Sequence, residues 1–442
     1  MLRRILFVAV TAAVMAPGTA LAAASDNPTP AAETHAEPGN EQRLQSLEER
    51  VKQLESTPPP APATAANSFN PGISLILSGL YANLSQDPAN YRISGFPLPS
   101  GAELGPGQRG VSLAESEIAL YASIDPYFYG MLTYAIAPDN TASVEEAFVQ
   151  TTALSHGLTI KAGRFYSGIG YLNSQHAHTW DFVDAPLAYQ AFLGTQFGDD
   201  GIQVKWLAPT DIFIELGSEL GRGRPYPGSD RDKNGFGAGT VFAHVGGDIG
   251  ASHSWRAGLS WLGTSPQDQE LSDMNIAGTA VTNSFSGDTR LWIADFVWKY
   301  APSGNPSQTN FKLQAEYMRR QEHGDLTYDS DGALGATNTA SYDARQSGWY
   351  IQGVYQFMPY WRVGLRTERL DQGTVDFSSN GSNLARPDFN PSKNTVMLDY
   401  NLSEFSRIRV QYALDQSRED VTDRQWFVQY QMSLGAHGAH QF

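Results

Sequence analysis

Residues 425–442 alternate between two kinds of side chain. Trp426, Val428, Tyr430, Met432, Leu434 and Ala436 share one parity and lead through Gly438 and His440 to Phe442, while Gln425, Phe427, Gln429, Gln431, Ser433 and Gly435 share the other. A period of 2 is that of a β-strand, whose successive side chains point to opposite faces, so this segment predicts a strand with one greasy and one wet face. The same alternation recurs upstream over approximate spans 73–84, 111–124, 127–136, 143–153, 158–166, 201–207, 211–219, 236–246, 252–262, 289–299, 310–320, 347–357, 360–370, 392–402 and 406–416, giving sixteen predicted strands with eighteen as the alternative count. Trp292, Ala294, Phe296 and Trp298 form one apolar face, and Phe311, Leu313, Ala315 and Tyr317 another; the intervening positions include Asp295, Lys299, Lys312, Gln314 and Glu316. Those polar residues are costly against lipid and stable against water.

The connections between these strands alternate in length. Long stretches at 85–110, 167–200, 220–235, 263–288, 321–346 and 371–391 trade places with tight ones at Asp125-Pro126, 155–157, 208–210, Met358-Pro359 and 403–405; 137–142 and 300–309 blur the contrast. A soluble sandwich has no reason to collect its long loops at one end. A transmembrane barrel does, because its turns are short on one side and long on the other. The ending at Phe442, with Trp426 and Tyr430 on its parity, resembles the C-terminal insertion signal of bacterial outer-membrane β-barrels, which implies the barrel-assembly machinery as a partner. The fold expected is an all-β, sixteen-stranded antiparallel transmembrane barrel over 71–442, with both strand termini on the periplasmic side.

Composition agrees. Mean hydropathy is −0.34, although the chain carries 20 Tyr, 21 Phe and 9 Trp. Alternation hides hydrophobicity in the average while aromatics accumulate for interfacial girdles. The formal charge of −16 argues against nucleic acid as a partner. Absence of cysteine excludes disulfide and thiol chemistry.

Ahead of the strands, Arg3 and Arg4, the apolar run Ile5 to Met15 and Ala20-Leu21-Ala22 predict a signal peptide over 1–22. Residues 23–40 read as a flexible tether. Leu44, Leu47, Val51 and Leu54 fall at a/d spacing within 41–56 and predict a short periplasmic coiled-coil helix supporting self-association, followed by a Pro-rich linker over 57–70.

The stretch Gly157-Leu-Thr-Ile-Lys-Ala-Gly-Arg-Phe165, the excursion containing Trp180-Asp-Phe and Asp184-Ala-Pro186, and Gly198-Asp-Asp-Gly-Ile-Gln203 resemble the fifth and sixth strands of the phosphate-selective porin family. The resemblance implies a trimeric diffusion channel in the outer membrane of a Gram-negative bacterium, surrounded by lipid and lipopolysaccharide, with residues 167–200 folded into the lumen as a constriction. Phosphate recognition needs a ladder of Arg and Lys, yet residues 165–204 contain neither and carry Asp181, Asp184, Asp199 and Asp200. Arg164, Arg362, Arg366, Arg407 and Arg409 are expected to face inward. An acidic inner loop opposite an arginine-bearing wall predicts a transverse field that orients small hydrophilic solutes. The competing expectation is that these arginines merely neutralise wall carboxylates such as Glu115, Glu117, Glu368 and Asp399.

His176 and His178 stand two apart, near Asp181 and Asp184, and this set is a candidate weak divalent-cation site, since imidazole with carboxylate suits Zn²⁺. The competing expectation is a hydrogen-bonded clamp that ties the excursion to the wall. No other cofactor is expected. Gly-x-Ser-x-Gly, His-Glu-x-x-His and P-loop patterns are absent from the sequence, which points away from an enzyme. Three functions remain: a general diffusion porin, a substrate-specific channel for a metal cation or for phosphate, and a structural tether between membrane and cell wall.

Overall fold

The computed structural model describes residues 71–102, 104–385 and 388–435. The predicted signal peptide, tether, coiled coil (Leu44, Leu47, Val51, Leu54), linker and Phe442 lie outside the described residues. Sixteen antiparallel strands close into a barrel. They are β1 (Gly72–Leu84), β2 (Ser116–Ser123), β3 (Phe128–Ile136), β4 (Ala142–Thr151), β5 (Leu158–Tyr166), β6 (Gly198–Leu207), β7 (Phe213–Gly221), β8 (Ala238–Ile249), β9 (His253–Thr264), β10 (Ala280–Tyr300), β11 (Asn310–Tyr328), β12 (Asn338–Met358), β13 (Trp361–Asp376), β14 (Ser392–Ser403), β15 (Ser406–Arg418) and β16 (Val421–Gly435). Each pairs with its sequence neighbours, and β16 returns to β1 in a ladder running from Ser74↔Gly435 to Leu84↔Gln425. Closure leaves no open edge, so every stave satisfies its backbone groups through its neighbours, as a lipid environment demands.

The sides of the wall follow the parity read from the sequence. Trp292, Phe296, Tyr317, Val396, Leu398, Trp426 and Tyr430 are exposed on the outside. Gln314, Glu316, Glu368, Asp399, Arg409, Gln411 and Gln425 are buried on the inside. Apolar out and polar in is the inverse of a water-soluble sandwich, and it suits lipid outside with polar packing or water within.

Three departures from the sequence reading matter. β10, β11 and β12 run much further than their predicted spans, and β10 pairs beyond the greasy band with a short strand, Gln269–Met274, inside a stretch read as a loop. The last strand spans Val421–Gly435, beginning earlier than expected. The second stave, expected as one strand over 111–124, is interrupted: Gly110–Leu113 and Ser116–Ser123 both pair with β1, leaving Ala114-Glu115 as a break between them, and Ser116 is buried with its Oγ 3.3 Å from Ser78 N.

Candidate functional site: the lumenal segment and its chamber

The connection between β5 and β6 runs into the barrel. Its irregular backbone exposes N–H groups that must find partners away from bulk water, and the wall supplies carboxylates and amides. Gly168 N donates to Glu219 at 2.9 Å, Tyr171 N and Leu172 N to Glu316 at 3.1 and 3.0 Å, and Val183 N to Gln411 at 2.9 Å. These acceptors sit on β7, β11 and β15, so the segment reaches widely separated staves before returning.

After a 3-10 turn at Ala177–Thr179, an α-helix, α1 (Leu187–Leu193), forms in its second half, and all seven residues are buried. Pro186 precedes it, Leu187 N donates to the Glu368 carboxylate at 2.5 Å, and Gly194 ends it with φ 63°, a conformation glycine adopts without penalty. The carboxylate thus satisfies an otherwise orphaned donor at the helix's positive end. Around α1 an apolar cluster gathers Ile169, Leu172 and Trp180 from the same segment, Ile93 and Phe96 from the 85–109 loop, and Leu291, Ile293, Met318 and Leu370 from the wall. The segment is therefore packed like a protein core.

Asp181 and Asp184 anchor it by charge. Asp181 lies 2.5 Å from Lys312 Nζ and 3.1 Å from Arg362 Nη1. Asp184 lies 2.9 Å from Arg366 Nη2 and 2.6 Å from Lys393 Nζ, and accepts from Gln411 Nε2 at 2.8 Å. Burial alone would raise both carboxyl pKa values, but Lys312 and Arg362, and likewise Lys393 and Arg366, overcome it and hold the groups well below the ordinary aspartate range.

The predicted arginines separate. Arg362, Arg366, Arg407 and Arg409 face inward: Arg362 and Arg409 share Asp399, Arg366 also pairs with Glu368 at 2.7 Å, and Arg407 donates to the His178 carbonyl at 3.1 Å. Arg164 does not join them. It shares the outward parity of Leu158, Ile160 and Ala162 and pairs with Asp200 at 2.6 Å, opposite it on β6. The inward cation of that stave is Lys161, whose ammonium sits over the Phe148 ring at 4.3 Å.

The expected set of His176, His178, Asp181 and Asp184 is also not brought together, because the two aspartates are held by the basic wall. The histidines stack on one another, with ring centroids 5.6 Å apart, and meet different carboxylates. His176 Nδ1 lies 3.2 Å from both Glu117 Oε2 and Glu145 Oε2, and its Nε2 lies 3.0 Å from Glu146 Oε2; His178 Nδ1 lies 2.8 Å from Glu117 Oε1. Burial opposes the charge of His176, yet the three carboxylates prevail and raise its pKa well above the usual histidine range. Sequence reasoning missed Glu145 and Glu146 as partners. The register explains why: Thr133 pairs with Glu146 and Tyr134 with Val144, so Glu145 is a bulged residue that opposes nothing. A bulge re-aims a side chain that strict alternation would send outward.

These groups border a chamber of about 1060 Å³. Glu117, Glu146, His176 and His178 line one side, and Lys161, Lys205, Glu215, His244 and Arg256 stand on β5 to β9, with Lys205 2.9 Å from Glu215.

No family model matches the chain. A protein of Aquifex aeolicus (strain VF5) carrying the description "uncharacterized protein" is 30% identical over 404 residues, covering 85% of this chain and 80% of that one. The two chains belong to one family. Among solved structures, OmpT of Vibrio cholerae lacking loop L8, an outer membrane protein, matches with TM-score 0.50 at 9% identity, over 82% of this chain and 99% of that chain. OprB of Pseudomonas putida gives 0.48 at 13% identity over 82% and 94%, and an anion-selective porin from Comamonas acidovorans 0.45 at 10% over 82% and 99%. The likeness to the Vibrio protein concerns the fold, that of an outer-membrane β-barrel. The sixteen-stranded barrel is porin-like, and none of these comparisons points to the phosphate-selective family in particular.

Proposed function

We propose that the chain is a non-catalytic outer-membrane porin through which small hydrophilic solutes diffuse, with the lumenal segment within residues 167–200 acting as the constriction. The observation that carries this reading is the lumenal segment itself. It is fastened by ion pairs to β11, β13 and β14 on one side, and a chamber bordered by charged as well as aromatic side chains stands on the other. A wall built only for support could close on apolar packing. This one keeps a chamber of about 1060 Å³ whose lining includes Glu, Lys, His and Arg side chains, as a hydrophilic permeation route requires.

On this reading the apolar exterior faces lipid and lipopolysaccharide, the barrel-assembly machinery inserts the chain through its C-terminal strand, three copies associate, and the N-terminal coiled coil lies in the periplasm. The test is a planar-bilayer recording of the purified full chain. Ohmic steps without saturation by any one solute support diffusion. Silent insertions of folded barrel refute it in favour of a structural anchor.

A second reading, a channel with affinity for one solute, is favoured by His176 and His178 bordering the chamber. Saturable block by that solute would distinguish it.

A further inference from the structure

The strongest unassigned cluster joins the lumenal segment to β2 and β4. The proposal that follows rests on the channel reading only for the position of the site, not for its chemistry. Five side chains converge there: His176 and His178 from the segment, Glu117 from β2, Glu145 and Glu146 from β4. The donor atoms of Glu117, His176 and His178 all lie within 4.8 Å of one another.

Three independent features distinguish this cluster from a solvated acidic patch. The donor set is mixed, with imidazole nitrogen beside carboxylate oxygen, the combination that suits Zn²⁺ and its neighbours rather than Mg²⁺ or Ca²⁺. The spacing also fits. Bonds of about 2.0–2.2 Å in a tetrahedral site place donor atoms roughly 3.3–3.6 Å apart. His176 Nδ1 is 3.2 Å from each of two carboxylate oxygens, so an ion entering between them needs only a few tenths of an ångström of opening. Finally, the backbone departs from regular pairing to build the cluster: the bulge turns Glu145 towards it, and the neighbouring stave breaks at Ala114-Glu115 beside Glu117. Glu115, Glu117 and Glu145 have oxygens within the same 4.8 Å limit.

An unpartnered polar atom lines the same chamber. Thr133, fully buried on β3 between the two carboxylate-bearing staves, pairs across the sheet with Glu146 on one side and Ala119 on the other. It lines the chamber with them, and its Oγ1 has no hydrogen-bond partner among the described residues. A buried hydroxyl left so is costly unless a bound water or ion completes it.

We propose that His176, His178, Glu117 and Glu145 form a binding site for a divalent transition-metal ion of the zinc class within the chamber, with Glu146 holding the ring of His176 in place. On binding, a ring nitrogen of each histidine faces the ion, and any proton it carried is released to solvent. Because the histidines ride on the lumenal segment and the carboxylates on the wall, occupancy ties segment to wall. The ion is thus both a ligand and a brake on passage.

The test uses the full chain purified in detergent, with ZnCl₂ as the probe, read by calorimetry and by single-channel current. The expected result is one saturable Zn²⁺ site per chain, not displaced by a large excess of Mg²⁺, and a current that Zn²⁺ reduces over the same concentration range. Replacing His176→Gln and His178→Gln together should weaken Zn²⁺ binding at least tenfold and remove the Zn²⁺-dependent block. Should that variant fail to show the heat-modifiable mobility of a folded barrel, Glu117→Gln with Glu145→Gln serves instead. Saturable Zn²⁺ binding undiminished in a folded variant would overturn the site, and so would absence of binding to the wild type. Zn²⁺ binding by a barrel that conducts no current at all would leave the site standing and overturn the channel reading instead, so the two failures are separable.

Discussion

Replacing Asp184 with Asn keeps the side chain's volume and removes its charge, so its consequence is set by electrostatics. In the native protein the carboxylate meets Arg366 at 2.9 Å and Lys393 at 2.6 Å, and the side chains of both cations are only 2% exposed. Removing one member of a buried pair costs roughly 3–5 kcal/mol, because the remaining charge stays desolvated. Both cations keep another partner, Glu368 at 2.7 Å for Arg366 and Asp415 at 3.4 Å for Lys393, which places the cost near the lower end, about 3 kcal/mol. At about 1.4 kcal/mol per factor of ten, the balance between a seated and a released segment shifts by roughly a hundredfold. Amide hydrogen exchange on the folded barrel reads this directly: protection of Leu187–Leu193, whose seat lies just beyond Asp184, should fall by about two orders of magnitude. Single-channel records should gain flicker and a larger mean conductance. Asp331→Asn, at an exposed position in the connection between β11 and β12, should change neither. Unaltered protection and conductance in the Asp184 variant would refute the idea that this ion-pair pocket holds the segment in the lumen.

Acid should imitate that variant. Asp181 and Asp184 titrate below the ordinary aspartate range in the folded protein, so their contribution is fully present above about pH 4 and is lost as pH falls through the lowered values; conductance noise rising only in strongly acid solution is the check. Converting Asp181 and Asp184 together to Asn uncovers Lys312, Arg362, Arg366 and Lys393, and the reversal potential in a salt gradient should move towards anions, less so as ionic strength rises. Deleting Phe442 should lower the amount of folded protein in the outer membrane while leaving refolded barrel stability nearly unchanged, measured by heat-modifiable mobility in membrane and detergent fractions. Deleting residues 41–56 should weaken oligomers in detergent yet preserve the barrel band on electrophoresis.

The wall was legible wherever its two faces meet different media. Phe311, Leu313, Ala315 and Tyr317 announce β11, but the same parity continues as Arg319, Gln321, His323 and Asp325. There the outer face leaves lipid for water, the contrast between parities fades, and a strand looks like a loop although its ladder runs on to Tyr328. Arg164 misled for a related reason. It follows Leu158, Ile160 and Ala162 on the lipid parity, and its charge suggested the lumen when it in fact ends the apolar run, with Asp200 across from it. The partners of Asp181 and Asp184 were illegible because they lie more than a hundred residues away, and no local pattern says which cation an excursion will meet. Glu145 was hidden by a bulge, which breaks the alternation on which the whole reading rests.

The electrostatics of the lumen therefore differ from those of an acidic loop facing a bare basic wall. A transverse field across a constriction needs charges left unpaired on both sides. Here Asp181 is matched by Lys312 and Arg362, Asp184 by Arg366 and Lys393, and Asp399 by Arg362 and Arg409. At contact distances such pairs cancel at long range, so the basic side of the lumen serves chiefly to seat the segment. The opposite side is less balanced: Glu115, Glu117 and Glu145 crowd together, with Glu146 beside them, and the two histidines of the segment stand against them. Wall carboxylates in a low-dielectric surround act over longer distances than the same groups in water. If the chain conducts ions as proposed, the charge that a permeating ion meets is set chiefly by the carboxylates of β2 and β4 and by the two histidines that face them. On the proposed channel reading the two walls divide the work: the arginine-bearing wall, through its ion pairs to Asp181 and Asp184, fixes the segment's position, and the glutamate-bearing wall would select among the solutes that pass it.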